Sequence, residues 1–303
     1  MQGDNSGKST SKLSDYWRTK TYVKPIEMQN PDYPIFPQPY QVGVDKFGGT
    51  WLDYNEVFIV QVAQCNLNCW YCFVDKELRV SDESLGAWFT AQEVIEMWRE
   101  SGSRVLRVSG GEPTLAREFL HDLILLMPGE DGLLWIDTNL MFDQRLINAL
   151  KGVTMEEAYN VCFSGCFKGW TANDAWEFCG ANLDQQFDAA HALVKHTPFE
   201  LFFYIPDAMT PGVTSSDIEA FFNRMVEEVD PMAPLRTYVL HVKDYTPTDK
   251  SKWVDVRQQV DGLRPIELWQ HLCRKTFGPE LNWIPNHQVS FINRVAAPLI
   301  TNR

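Results

Sequence analysis

The sequence contains no apolar run approaching the ~20 residues that a membrane-spanning helix needs, so no membrane role is expected. Its opening, MQGDNSGKSTSKLSDYW, has no apolar stretch of the kind a secretory leader carries, and the expected location is the cytoplasm. Positive charge is scarce: 27 Lys and Arg stand against 40 Asp and Glu, a formal net charge of -13. That balance repels nucleic acid and anionic lipid over a Debye length, which excludes broad nonspecific binding to either, although not a local basic groove. The seven cysteines (Cys65, Cys69, Cys72, Cys162, Cys166, Cys179 and Cys273) lack the even count of a disulfide scaffold, and they are clustered. Metal binding or a reducing compartment explains them better.

What is present is enough for one large core: 303 residues, 45% hydrophobic and 22% charged. Residues 1–50 are expected to form a polar tail followed by an extended arm, because Pro25, Pro31, Pro34, Pro37 and Pro39 fall among aromatics. From Val57 onward short apolar runs alternate with segments of helical period. VFIVQVA (57–63), RVLRVSG (104–110), LLWIDTN (133–139), NVCFSGCF (160–167), ELFFYIP (200–206) and RTYVLHV (236–242) are expected strands. The intervening helices include 90–101, with Thr90 and Glu93 at capping-box distance, and the series closes with a helix ending at Gly278. Six strands each followed by a helix imply an α/β fold, a partial (β/α)6 barrel of parallel strands over 51–245. Residues 246–303 are expected as a C-terminal extension packed on it, and the site is expected at the C-terminal strand ends.

Chemistry is most concentrated in CNLNCWYC, residues 65–72, directly after the first strand. Three cysteines at C-x3-C-x2-C, with polar Asn66 and Asn68 between them, are hard to explain as packing. Zinc demands a fourth protein ligand, which Cys162, Cys166, Cys179 or a histidine offers, so spacing leaves zinc and an iron-sulfur cluster both open. Cys162, Ser164 and Cys166 alternate along the fourth strand and share one face, which brings Cys166 near a reaction chamber if that face is inward. Cys179 and Cys273 lie in helical contexts where a core position is expected. Trp51, Trp70, Trp88, Trp170 and Trp176 fall near expected loops, as packing or as pocket lining.

The cysteine motif after the first strand and SGGEPTL (109–115) after the second together resemble the radical S-adenosylmethionine (radical SAM) superfamily over roughly 55–245. The resemblance implies an enzyme in which Cys65, Cys69 and Cys72 hold a [4Fe-4S] cluster and S-adenosylmethionine supplies the missing fourth ligand. A reduced cluster then yields a 5'-deoxyadenosyl radical that abstracts hydrogen from a small-molecule or peptide substrate, with a reducing partner such as flavodoxin or ferredoxin. Tyr71 matches the position against the adenine, and Gly110, Gly111 and Glu112 match the segment near the methionyl amino group. A second similarity is to the glycyl-radical-enzyme activating branch, through DTN (137–139) and CFK (166–168). It implies Asp137 or Asn139 near the ribose or sulfonium and Lys168 on the methionyl carboxylate. Cys166 stands where that branch has an acid, and only His241 and Lys243 lie near its expected histidine. Activation of a glycyl-radical partner is therefore the within-class alternative, and a non-catalytic zinc- or iron-sulfur-binding interaction module is the rival from another class.

Overall fold

The computed structural model describes residues 19–20, 57–74, 76–79, 88–103, 105–128, 132–240, 242 and 260–278. Six parallel strands form its sheet in chain order: β1 Val57–Val62, β2 Val105–Gly110, β3 Leu133–Thr138, β4 Val161–Cys166, β5 Glu200–Pro206 and β6 Thr237–Leu240. Each strand pairs with its sequence neighbour, as in Val60 with Val108 and Cys166 with Tyr204, and the strands alternate with helices as the partial barrel requires. A two-residue antiparallel ladder joins Thr19–Lys20 to Trp88–Phe89. Apart from that ladder the expected arm lies outside the described residues, as do His241, Lys243, Trp51 and most of the expected C-terminal extension.

The longer helices are α1 Ala91–Ser101, α2 Arg117–Leu126, α3 Gln144–Leu150, α4 Ala172–Cys179, α5 Leu183–His196, α6 Ser215–Arg224 and α7 Pro265–Phe277. Their ends follow local chemistry. Thr90 and Glu93 close the expected capping box on α1, while Gly102 ends that helix in the left-handed conformation (φ 70°) that an L side chain disfavours. Asn182 caps α5 by accepting the Gln185 amide, and Thr214 caps α6 through Asp217.

Strand alternation separates two environments. Phe58, Val60, Val62, Leu106, Val108, Leu134, Ile136, Phe163, Leu201, Phe203 and Val239 point one way and belong to the hydrophobic core shared with the helices. The opposite face carries Gln61, Arg107, Ser109, Trp135, Asp137, Cys162, Ser164, Cys166, Tyr204 and Tyr238, side by side through the register. The curved sheet turns this second, more polar row inward.

An aromatic cluster closes the helical layer on the far side. Phe221 lies within 5.2–6.1 Å, ring centre to ring centre, of Phe167, Trp170, Phe187 and Trp269, and Trp269 also donates its indole N–H to the Pro234 carbonyl at 3.1 Å. Trp269 thereby fastens α7 against α6. Trp170 and Trp70 are packed in the core, 2% and 6% exposed, whereas Trp176 is 66% exposed on α4 and Trp88 sits at the surface. Phe221→Ala is expected to destabilise the fold by about 3–5 kcal/mol, since it empties the centre of this cluster; urea unfolding monitored by circular dichroism measures it.

Candidate active site

The loops at the C-terminal ends of β1, β2 and β3 are tied together by backbone and side-chain hydrogen bonds. The Gly111 amide donates to the Val62 carbonyl at 2.8 Å and the Glu112 amide to the Gln64 carbonyl at 2.7 Å. This approach is possible only for glycine: a Cβ at Gly111 would lie 1.7 Å from the Gln64 oxygen. Gly110 adopts φ 96°, and Gln64, the residue before Cys65, adopts φ 70°, so the turn into the cysteine loop holds a conformation that side chains resist.

Glu112 is 1% exposed, and its carboxylate accepts four hydrogen bonds. One oxygen receives the Thr114 amide at 3.1 Å, the Thr114 hydroxyl at 2.6 Å and the Thr138 hydroxyl at 2.8 Å. The other receives the Asn139 amide at 2.7 Å. Burial raises the Glu112 pKa, and the donors around it pull in the opposite direction. Its acceptors are thus committed to bracing β3 against β2, a role that the match to the amino-group segment does not include.

Asn139 sits where the cysteine loop meets β3. Its amide nitrogen donates to Asn66 Oδ1 at 2.7 Å and toward Cys65 Sγ at 3.8 Å, while its Oδ1 accepts from the Met141 amide at 2.8 Å. Asp137 is turned the other way: Arg107 grips one carboxylate oxygen with Nε at 2.8 Å and Nη2 at 2.7 Å, and the Trp135 indole donates to the other. The Arg107 guanidinium also stacks over the Trp135 ring at 4.1 Å. Asp137 and Asn139 therefore belong to different surroundings, one on the inward face and one on the cysteine loop.

The three loop cysteines are free thiols, Cys69 buried and Cys65 and Cys72 half-buried. Burial pushes the Cys65 thiol up to about 11 and raises Cys72 as well; Cys69 is raised by its hydrogen bond with Cys179 and by burial. Lys168 lies among these sulfurs. Burial works against its charge, but Cys166, Cys69 and Cys179 outweigh that and raise its pKa well above the usual lysine range. Cys166 is hydrogen-bonded to Lys168 and shares the inward face with Tyr204. Tyr71 packs edge-on against Trp70, with ring centres 5.4 Å apart.

Sequence reasoning did not reach the contacts of one residue of this region and did not single out another. Cys179, expected as core, is indeed buried, yet its thiol lies 3.2 Å from the Tyr71 hydroxyl and contacts Cys69. Gln186, fully buried on α5, donates to the carbonyls of Asn139 at 2.6 Å and Cys166 at 3.1 Å and accepts the Lys168 amide at 3.2 Å. A buried glutamine inside an otherwise amphipathic helix was the available signal for it. Beside the cysteine loop lies a cleft of about 410 Å3 lined by Cys65, Asn66, Asn68, Lys76, Arg79 and Cys179. Among the described residues no three His, Cys, Asp or Glu side chains converge as ligands of a single ion. A cubane cluster attaches each thiolate to a different iron, so three thiols spread along one loop suit it.

A profile of the radical SAM superfamily matches residues 59–158, which span the cysteine loop, the Gly-Gly-Glu segment and β3. A probable GTP 3',8-cyclase from Archaeoglobus fulgidus is 34% identical over 73 residues, 23% of this chain and 23% of that protein. Among solved structures, Streptococcus suis SuiB bound to S-adenosylmethionine superposes with a TM-score of 0.52 at 15% identity, over 75% of this chain and 48% of that one. A second structure of SuiB gives a TM-score of 0.51 at 15% identity, over 75% of this chain and 47% of that one. The chain thus aligns with about half the length of SuiB and with a smaller part of the cyclase, and the SuiB likeness is one of fold.

Glu112→Ala strips the acceptors from the Thr138 hydroxyl and the Asn139 amide. It is expected to destabilise the metal-free protein by about 2 kcal/mol or more, read as a fall in thermal midpoint.

Proposed function

From a chain that belongs to the radical SAM superfamily and is therefore an enzyme, we propose a specific site: Cys65, Cys69 and Cys72 hold a [4Fe-4S] cluster, S-adenosylmethionine binds beside it, and hydrogen is removed from a small-molecule or peptide substrate on the inward face of the sheet. The observation that carries this reading is the joining of the cysteine loop, the Gly-Gly-Glu segment and the end of β3 through the buried Glu112 carboxylate and the Asn139 amide. The donor set fits the group, since reduced thiols in a compact loop suit iron-sulfur chemistry. When bound, the cluster and S-adenosylmethionine together supply one-electron cleavage of the sulfonium to methionine and a 5'-deoxyadenosyl radical.

The chain's own residues bind and aim. Lys168, a half-buried cation just past the end of β4, is the partner for the methionyl carboxylate. Gly110 and Gly111 present bare backbone to the amino group, because the Glu112 side chain is already engaged. Tyr71 offers a ring to the adenine, held by Trp70 and Cys179. Asp137, clamped by Arg107 and Trp135, faces the substrate side together with Ser164 and Tyr204. Cys166 is the thiol placed to return a hydrogen atom to a substrate radical, and the thiyl left behind takes an electron and a proton, the electron from a carrier such as flavodoxin or ferredoxin.

Anaerobic reconstitution with iron and sulfide, followed by dithionite and S-adenosylmethionine, tests the assignment. 5'-Deoxyadenosine and methionine are expected by liquid chromatography and mass spectrometry, and the absence of both from fully iron-loaded protein overturns it. Ala at Cys65, Cys69 or Cys72 is expected to reduce both products to background, whereas Cys179→Ala is expected to keep its iron. Lys168→Met is expected to weaken S-adenosylmethionine binding about 10- to 100-fold by calorimetry, the loss of one charge-assisted contact.

A further inference from the structure

The amide of Asn139 is fixed in one orientation. Its Oδ1 accepts the Met141 N–H at 2.8 Å, so the NH2 group must face the other side, where one hydrogen meets Asn66 Oδ1 at 2.7 Å. The remaining direction leads to Cys65 Sγ at 3.8 Å. Asn66 is pinned in turn, since its own NH2 donates to the Met141 carbonyl at 2.7 Å. The Asn139 backbone is held at both ends, by Glu112 at its N–H and by Gln186 at its carbonyl, 2.7 and 2.6 Å away. Asn139 is 5% exposed. A residue held by four partners from three loops and a helix, two of them on its side chain, is aimed at one sulfur.

We propose that Asn139 is a positioning residue for the cluster ligand Cys65 and sets the cluster's reduction potential through an amide N–H to sulfur hydrogen bond. The proposal rests on the cluster assignment above and departs from the resemblance, which implies a place for Asn139 near the ribose or sulfonium. The physical reason is electrostatic. Reduction adds negative charge that spreads onto the cysteine sulfurs, and a donor directed at such a sulfur stabilises the reduced state more than the oxidised one. The Leu67 amide, at 3.5 Å from the same sulfur, adds a second donor, so Cys65 is the loop cysteine with two N–H groups directed at it among the described hydrogen bonds.

The test is the midpoint potential of the reconstituted protein, measured by anaerobic spectroelectrochemical titration without S-adenosylmethionine. Asn139→Leu keeps the branching of the side chain and has no side-chain N–H. It is expected to load the same iron and sulfide per chain and to disfavour reduction by up to about tenfold, or about 59 mV to the negative for a one-electron couple. Full loading with an unchanged potential overturns the proposal. Where Asn139→Leu loads poorly, Asn139→Asp serves instead: it keeps the acceptor for Met141 but has no N–H, and its charge adds to a negative shift. An unchanged potential in that variant also overturns the proposal. Failure of the unaltered protein to take up any cluster is a different result, and it removes the cluster assignment itself.

Discussion

Glu112 is the group on which the mouth of the barrel depends. A carboxylate removed from water costs several kcal/mol unless its lone pairs are met, and here four donors from the β2 and β3 ends meet them. Because those donors include the Asn139 amide, the same residue that holds two strands at a fixed separation also fixes the side chain resting against Cys65. The strand ends, the cysteine loop and α5 form one connected polar network, with Gln186 closing it from the helix side. Removing Glu112 would leave the Thr138 hydroxyl and the Asn139 amide buried without that acceptor, so the geometry of the site is enforced by the energetics of the fold.

The sheet divides its labour by parity. Residues on one face pack with the helices in a mainly apolar layer, and residues on the other present Arg107, Asp137, Ser164, Cys166 and Tyr204 to the interior of the curve. A shift of one residue in any strand would exchange the two, placing charge against the helices. The apolar layer therefore fixes which chemical groups face the chamber.

Much of this was legible before any coordinates. The ends of the six strands fall within two residues of the expected runs, because fully covered parallel strands appear as continuous apolar segments bounded by polar turns. The Thr90 and Glu93 box was equally readable, since a cap is a local interaction between residues three apart. Long-range partners were not. That Asp137 is occupied by Arg107 follows from a parallel register that sequence does not print, and that Cys179 reaches Cys69 follows from how α4 returns across the cysteine loop. The position of Glu112 was readable from its motif, but its hydrogen-bond commitments were not, because they depend on where β3 ends.

The return of α4 has a consequence for how the protein assembles. A helix ends with carbonyls that lack intrahelical partners, and here those of Phe178 and Cys179 are taken by the amides of Trp70 and Asn68, respectively, each at 3.1 Å. The cysteine loop is the cap of that helix. Loop and helix end are expected to order as one cooperative unit, in which the cysteine segment is shaped by a neighbour more than 100 residues away in sequence. Trp176, exposed two residues before Phe178, stands on that unit as a built-in fluorophore whose emission would track the docking of the loop.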